Sequence, residues 1–517
     1  MSMIFKNIID EQLPGWSGKE YNGKSFDSIL QIDGIPLWWF YSRLVTGHVL
    51  PKQFDLQDRL KQADSRGAKD AYYRLLLMFL QKALRFNESR KFSAARIKTM
   101  DSSESGAKAL FLTYTNHFNR ESKTTYRIQK IVDCLRQEPG LKPLVIFADP
   151  LSNRKPLSND LPGDTIYGYI DESINRQAKA MAKDLHHAWK RAPHNEIFSS
   201  LWRKIRETMN FFFSEDFIYL TALYYLVSKK VISEEKIKVI VLTSRNGLHE
   251  KCVMAAAHTL DIPVVILQHG LGIGVEDQET FTGTKFAVFG EFFRKRLTRW
   301  GVPEDDIFIT GPIIFDEIVP FIRDPRKLGK VVLFTAPFIE NGWTSKEKYF
   351  ADMEQILKSL KGISKELIIK LHPREKELQT YKDQVDKVGI QNTTVIAGVG
   401  SSLVYETMHD AELVINFFST VALEAMIMDI PVLTLDLVPG IVDDLENTPY
   451  SGGIIKSMDV DLKKTIEIAL QDSPELQQKR QEKVKEFCSV IDGKASQRVV
   501  DLLLKITDAG KEKEMRI

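Results

Sequence analysis

The sequence predicts an α/β protein built on two parallel sheets, each covered by helices on both faces. Three features carry this. Apolar runs of three to five residues recur between positions 109 and 434, helical patterning separates most consecutive runs, and a charged stretch at 323–330 containing Pro325 splits them into two series. Short, fully apolar runs alternating with helices are what strands buried on both faces require.

The elements follow in order. The first hundred residues show no regular strand pattern. Residues 54–86 read as helix, with Leu60, Ala63, Ala71, Leu75, Phe79, Ala83 and Phe86 near helical spacing, and Trp38-Trp39-Phe40-Tyr41 reads as a core helix. A polar break at 101–106 closes a helical N-terminal module, residues 1–106. The first strand series is 109–113, 144–147, 239–242, 264–267 and 286–289, ending near 307–312, with a helix at 128–135 and a long helical insert at 171–230. Residues 107–322 therefore form one α/β domain. The second series is 331–334, 367–370, 394–396, 413–415 and 432–434, with helices at 347–360 and 419–428 and two closing helices in 474–506. Residues 323–517 form the second α/β domain. Two such units predict two sheets facing one cleft, with ligands at the carboxyl ends of the strands.

Composition narrows the function classes. The 517 residues carry 71 basic and 69 acidic side chains, net +2, which argues against a nucleic-acid coat. Hydrophobic residues at 43% and charged residues at 27% are ordinary globular usage. Cys134, Cys252 and Cys488 lie far apart, excluding a disulfide framework and a CxxC zinc site and fitting a reducing compartment. Residues 1–24 interleave charges with apolar side chains, unlike a secretory signal. The most apolar segment, 217–227, falls well short of the roughly 20 residues of a membrane span. A soluble, cytoplasmic protein is expected.

Three clusters at strand ends could carry chemistry. After the strand 264–267 comes Gln268-His269-Gly270-Leu271-Gly272-Ile273-Gly274, where Gly270, Gly272 and Gly274 let backbone approach a ligand closely. His269 there is either a general base titrating near neutrality or a turn residue bonded to backbone. Glu276 and Asp277, in the same loop, are the reserve bases. The second cluster is Lys370-Leu371-His372-Pro373-Arg374-Glu375. Pro373 stops the strand and restricts His372, and His372 with Arg374 offers donors for a diphosphate, unless the pair is a solvated strand terminator. The third is Asn416 through Ala425, where a strand turns into a helix at Ser419-Thr420. Helix-start N–H groups and two hydroxyls suit a phosphate, and Glu424 one turn on suits ribose hydroxyls. The plainer alternative is an N-cap followed by an exposed glutamate.

Other motifs are weaker. Asp459-Val460-Asp461 resembles a metal-binding DxD but precedes a helical run, where Asp461 reads as an N-cap. There is no P-loop, HExxH or GxSxG motif, and Gly272-Ile273-Gly274 lacks the third glycine of a dinucleotide fingerprint.

Leu267-Gln268-His269-Gly270, then Phe286-Ala287-Val288-Phe289-Gly290, Trp300-Gly301-Val302-Pro303 and Ile309-Thr310-Gly311-Pro312, together resemble the GT-B glycosyltransferase superfamily. More narrowly, they resemble bacterial capsule and surface-carbohydrate transferases: Kdo transferases, polysialyltransferases and CDP-glycerol glycerophosphotransferases. His372-Pro373 is similar to their His-Pro motif and Ser419-Thr420 to their Ser-Ser/Thr motif. The resemblance spans about residues 107–504 and is strongest over 239–435. It implies two Rossmann-like domains, an acceptor domain followed by a nucleotide-donor domain. It also implies donor phosphates at His372 and at the Ser419-Thr420 helix start, no cofactor, and no obligatory metal. The implied function is transfer of a sugar from a nucleotide-sugar donor to a surface-glycan or lipid-linked acceptor in surface polysaccharide biosynthesis. A lipid-linked acceptor would bring the protein to the inner face of the membrane as a peripheral enzyme; nucleic acid is not an expected partner. The chain departs from the pattern in lacking the acidic Asp/Glu-Asp/Glu-Gly motif and in reading Gly311-Pro312-Ile313 where relatives often have Gly-Asn-Pro. Two alternatives share the fold: a UDP-N-acetylglucosamine 2-epimerase-like enzyme and a non-catalytic nucleotide-sugar-binding subunit.

Overall fold

The computed structural model describes residues 15–21, 23–46, 106–119, 124–125, 127–149, 151–152, 155–156, 164–270, 280–321, 329–363, 366–398, 401–440, 442, 445–458 and 460–514. Two large sheets organise it, as the apolar runs predict. The first has seven strands: β1 (Lys108–Thr113), β2 (Lys142–Phe147), β3 (Asp164–Thr165), β4 (Ile237–Leu242), β5 (Val264–Leu267), β6 (Lys285–Val288) and β7 (Ile307–Ile309), ordered β3-β2-β1-β4-β5-β6-β7. The second has six: β8 (Lys330–Phe334), β9 (Glu366–Lys370), β10 (Thr393–Ile396), β11 (Ala411–Asn416), β12 (Val432–Asp436) and β13 (Ile454–Ser457), ordered β10-β9-β8-β11-β12-β13. Every neighbouring pair of the second sheet is parallel. In the first sheet, β3, β2, β1, β4 and β5 pair parallel in succession. Both orders reverse between the first and fourth strands, which is the doubly wound Rossmann arrangement.

Helices form where caps and apolar spacing permit. The insert contains α1 (Glu172–Arg191), capped by the Asp171 carboxylate accepting from Ile174 N at 2.8 Å, and α2 (Glu215–Glu234), capped by Ser214 Oγ accepting from Phe217 N at 3.3 Å. The apolar segment at 217–227 lies inside α2, with all but two of its side chains buried. Among the described residues, no helix is long and apolar enough to cross a membrane. After β4 comes α3 (Leu248–Thr259). In the second sheet, α4 (Lys346–Leu360), α5 (Leu378–Val388) and α7 (Leu462–Gln471) contribute to one core, and α6 (Val421–Ile427) follows β11. Val331, Leu333, Ile369, Leu413, Ile415 and Leu433 meet Tyr349, Met353, Leu357, Tyr381 and Ile466 in that core. The chain closes with α8 (Pro474–Cys488) and α9 (Ala495–Glu514).

The N-terminal expectation is corrected in part. The predicted helix at 54–86 lies outside the described residues. Residues 15–46 are not purely helical: the helix Leu37–Leu44 buries Leu37, Phe40 and Tyr41, but two two-stranded hairpins precede it, Glu20–Tyr21 with Lys24–Ser25 and Gln31–Ile32 with Ile35–Pro36. Strands of two residues are too short to show alternation. Their turns are nonetheless readable, because Asp33-Gly34 takes φ of 46° and 83°, the mirror-image turn that this dipeptide favours. Trp16 packs against Trp38, Trp189, Phe198 and Phe213 of the same unit.

Contacts divide the chain into two units, but not at the 323–330 linker. One comprises described residues up to Leu267, with 280–286 and 500–514; the other comprises 268–270 and 287–499. The division falls inside the first sheet because residues 289–316 pack on the C-terminal helices of the second unit. Phe292 stacks on Phe487 at 4.3 Å, and Asp316 accepts from Ala495 N and Ser496 N at 2.9 and 2.8 Å. A Cβ on Gly290 would meet Phe487 O at 2.6 Å, so that junction needs glycine.

Arg480 of α8 clamps this unit. It is 2% exposed and its guanidinium bonds Asp429, just after α6, and Asp472, at the end of α7; both aspartates have left-handed backbone. Replacing Arg480 with Met removes the guanidinium from the buried Asp472 carboxylate. Urea unfolding should then show a loss of about 3 kcal/mol, and a change under about 0.5 kcal/mol would refute the clamp.

Candidate functional site

The second sheet brings two of the three sequence-predicted clusters to one edge. Phe334 of β8 pairs with Lys370 of β9, and Leu333 of β8 with Ile415 of β11. The chain therefore leaves three adjacent strands together, at Thr335, Leu371-His372 and Phe417-Phe418-Ser419. Neighbouring strands are about 4.8 Å apart, so the His372 and Ser419 strand ends are separated by roughly two such spacings. The β8/β11 boundary is the switch point of the sheet, where chain connections depart to opposite faces and ligands bind.

His372 is half-buried and held by its neighbours. Its N–H donates to Thr335 Oγ1 at 3.0 Å and to Glu375 Oε2 at 2.8 Å, while Glu375 N donates to its carbonyl at 2.9 Å. Arg374 N donates to His372 Nδ1 at 3.2 Å, so the neutral ring carries its proton on Nε2. Burial, and then the charges of Arg374 and Lys370, push its pKa down to about 4. At neutral pH His372 is an uncharged N–H donor. Arg374 is exposed. Lys370 is buried and its ammonium donates to Leu371 O and Gly398 O at 3.0 and 2.8 Å, with burial lowering its pKa.

The β11 end is a bent turn. Asn416, fully buried, donates to Thr434 Oγ1 at 3.0 Å and accepts from Ser419 N at 3.2 Å. Phe418 sits at φ 53°, a conformation rare for an aromatic residue and found where a turn is over-determined, and its carbonyl accepts from Tyr450 at 3.0 Å. Ser419 Oγ accepts from Val421 N at 3.4 Å. Thr420 is the N-cap position but makes no side-chain cap bond. Glu424 is not the exposed helix residue of the plainer alternative: it is only 8% exposed, and burial raises its pKa to about 7, opposed by a bond from the Thr420 hydroxyl. The helix α6 is seven residues long, so its dipole is weaker than the helix-start argument assumed.

The first cluster is placed in part. His269 is exposed at the end of β5. Gln268 shapes that turn, donating to Gly270 O and accepting from Phe289 N, both at 2.9 Å. Gly272, Gly274, Glu276 and Asp277 lie outside the described residues. Asp461 accepts from Lys464 N at 3.1 Å, the expected N-cap. Among the described residues, no group of three or more His, Cys, Asp or Glu could hold a metal ion.

Two groupings were missed from sequence. Glu375, already adjacent to the His372 motif, has its carboxylate at the centre of a buried hydrogen-bond set. At the switch point of the first sheet, between β1 and β4, Tyr114 donates to Glu250 at 2.5 Å, and burial raises both pKa values. Applying the strand-end rule to residues 243–250 would have pointed there.

The family model described as UDP-N-acetylglucosamine 2-epimerase matches residues 285–504. That stretch holds His372, Arg374, Ser419, Thr420 and Glu424; His269 and its glycines precede it. No curated protein matches the chain. Solved structures similar to it include the UDP-GlcNAc 2-epimerase from Neisseria meningitidis bound to UDP-GlcNAc, at 14% identity, covering 78% of this chain and 100% of that one, TM-score 0.48. The Methanocaldococcus jannaschii UDP-GlcNAc 2-epimerase in complex with UDP-GlcNAc and UDP is 16% identical, with 77% and 99% coverage and TM-score 0.45. A Rickettsia africae glycosyltransferase is 10% identical, with 78% and 99% coverage and TM-score 0.44.

The raised pKa of Glu424 has a signed consequence. Between pH 4.5 and about 7 the folded state holds a proton that the unfolded chain has lost, so rising pH destabilises the fold. Glu424→Gln removes the titration. Its stability relative to wild type should rise by about 2.5 kcal/mol from pH 5 to pH 8 in urea unfolding; a pH-independent difference would refute the buried acid.

Proposed function

We propose that the chain is an enzyme acting on a nucleotide-activated sugar. His372, Arg374, Ser419 and Thr420 hold the nucleotide diphosphate at the carboxyl edge of the second sheet, and Glu424 meets the nucleoside sugar. The supporting observation is the arrival of His372, Arg374, Ser419 and Thr420 after the two strands that flank β8, beside the switch point and within the stretch that the epimerase family model matches. A neutral His372 donates Nε2–H to a phosphate oxygen, Arg374 adds a solvent-facing cation, and the Ser419 and Thr420 hydroxyls add donors. Glu424, close to half-ionised near neutral pH, can accept from or donate to a ribose hydroxyl. No metal or cofactor has a part in this reading.

Two chemistries suit such a site. Inversion at C2 of a UDP-N-acetylhexosamine, which needs no acceptor, is favoured by the family model. Transfer to a glycan or lipid-linked hydroxyl is the second reading, favoured by the Gln268-His269-Gly270 loop and the motif order, and by a family match that begins only at residue 285. In transfer, His269 takes the acceptor proton as the new C1–O bond forms and the nucleotide diphosphate departs; Glu276 and Asp277 are the reserve bases. A binding subunit would hold the nucleotide sugar without turnover.

The test is incubation with UDP-N-acetylglucosamine in EDTA, with and without glycan acceptor. Epimer formation without acceptor supports the first chemistry, UDP release only with acceptor supports the second, and a chain that neither turns over nor binds UDP sinks the proposal. His372→Ala should weaken UDP binding roughly tenfold to a hundredfold by calorimetry. His269→Ala should lower turnover roughly 10²–10⁴-fold with UDP affinity unchanged; lost affinity with intact turnover would make His269 a nucleotide ligand instead.

A further inference from the structure

We propose that Glu375 is a positioning residue that fixes His372 for its ligand, acting through the His372 backbone rather than touching the ligand; this rests on the assignment of His372 to the diphosphate. Glu375 clasps His372 twice. Its own N–H donates to His372 O at 2.9 Å, and its Oε2 accepts from His372 N at 2.8 Å. The same Oε2 accepts from the Thr335 hydroxyl, which itself accepts from His372 N at 3.0 Å. Thr335 follows β8 and His372 follows β9, so this three-way contact ties two adjacent strand ends of the site together.

The other carboxylate oxygen is anchored from below. Tyr381 on α5 donates to Glu375 Oε1 at 2.6 Å, and its oxygen lies 2.8 Å from that of Tyr349 on α4. Because the Tyr381 proton is committed to Glu375, Tyr349 must donate to Tyr381. Both rings are 0–1% exposed. A directed chain therefore runs from two core helices through Glu375 to the His372 backbone. The clasp also shapes the turn in which Arg374 N reaches His372 Nδ1 at 3.2 Å, so it sets which ring nitrogen faces outward with a proton. Burial raises the Glu375 pKa against the pull of its hydrogen bonds from Thr335, Tyr381 and His372. Ending a strand requires no such acid, since Pro373 already does so. The acid instead fixes the backbone from which the imidazole projects, with Arg374 N on its Nδ1.

The experiment is a double-mutant cycle on UDP affinity, measured by calorimetry on the full chain with Glu375→Gln, His372→Ala and the pair. Glutamine keeps the shape but sets an NH₂ donor against the Thr335 and His372 donors. The expected result is a roughly tenfold weaker affinity for Glu375→Gln, with the double variant no weaker than His372→Ala alone. Tyr381→Phe, which keeps the buried ring and removes one hydroxyl, should give a smaller, roughly threefold loss that likewise vanishes on the His372→Ala background, and it carries the cycle if Glu375→Gln does not fold. Wild-type affinity in both variants overturns the inference. So does a loss that adds fully to that of His372→Ala, because a general structural role would act independently of the imidazole. If His372→Ala itself binds UDP like wild type, the diphosphate assignment and this inference fall together; if only Glu375→Gln and Tyr381→Phe are silent, the assignment stands.

Discussion

Parallel pairing of β8 with β11 is the constraint on which the candidate site depends. Parallel neighbours cannot be joined by a tight turn, so each connection must cross a face of the sheet, usually as a helix. In the second sheet, β9 and β10 lie on one side of β8 and β11 to β13 on the other. The faces are covered, as the complete burial of Lys330–Phe334 shows, and polar function is left to the strand ends. His372 and Ser419 are 47 positions apart in the chain and share an edge because of this pairing.

The charges at that edge are muted. His372 is held neutral, Glu424 is shifted to about 7, and the Lys370 ammonium is engaged with backbone carbonyls. Exposed Arg374 is the cation that faces solvent within the His-Pro motif. On the proposed function, such a site would recognise a phosphate mainly by directed hydrogen bonds, which fix orientation, rather than by a pool of positive charge. That fits a ligand whose sugar must be presented in one pose.

The fold was legible because burial on both faces writes itself into sequence as apolar runs. Each predicted run appears as a strand, whereas β3 and β13 were missed. β3 has two residues, and β13 is an edge strand that mixes Ile454 and Ile455 with Lys456 and Ser457. The Asp33-Gly34 hairpin was missed despite a readable turn signal. The meeting of His372 and Ser419 at strand ends of one sheet was legible because parallel strands in a doubly wound sheet end on the same edge. Their surroundings were not, because burial of a carboxylate is decided by packing. Glu424, for which one reading was an exposed helix residue, is almost fully covered, and Glu250 finds Tyr114 from 136 positions away.

On the proposed function, the second sheet unit binds the diphosphate of a nucleotide sugar. Thermal unfolding with UDP, CDP, GDP and CMP tests it most directly, because a ligand that binds only the folded state stabilises by about 2.7 kcal/mol at a hundredfold excess over its Kd. The account predicts that at least one nucleoside diphosphate raises the melting temperature in a concentration-dependent way and does so more than the monophosphate CMP. A melting temperature unmoved by every diphosphate at millimolar concentration would contradict it.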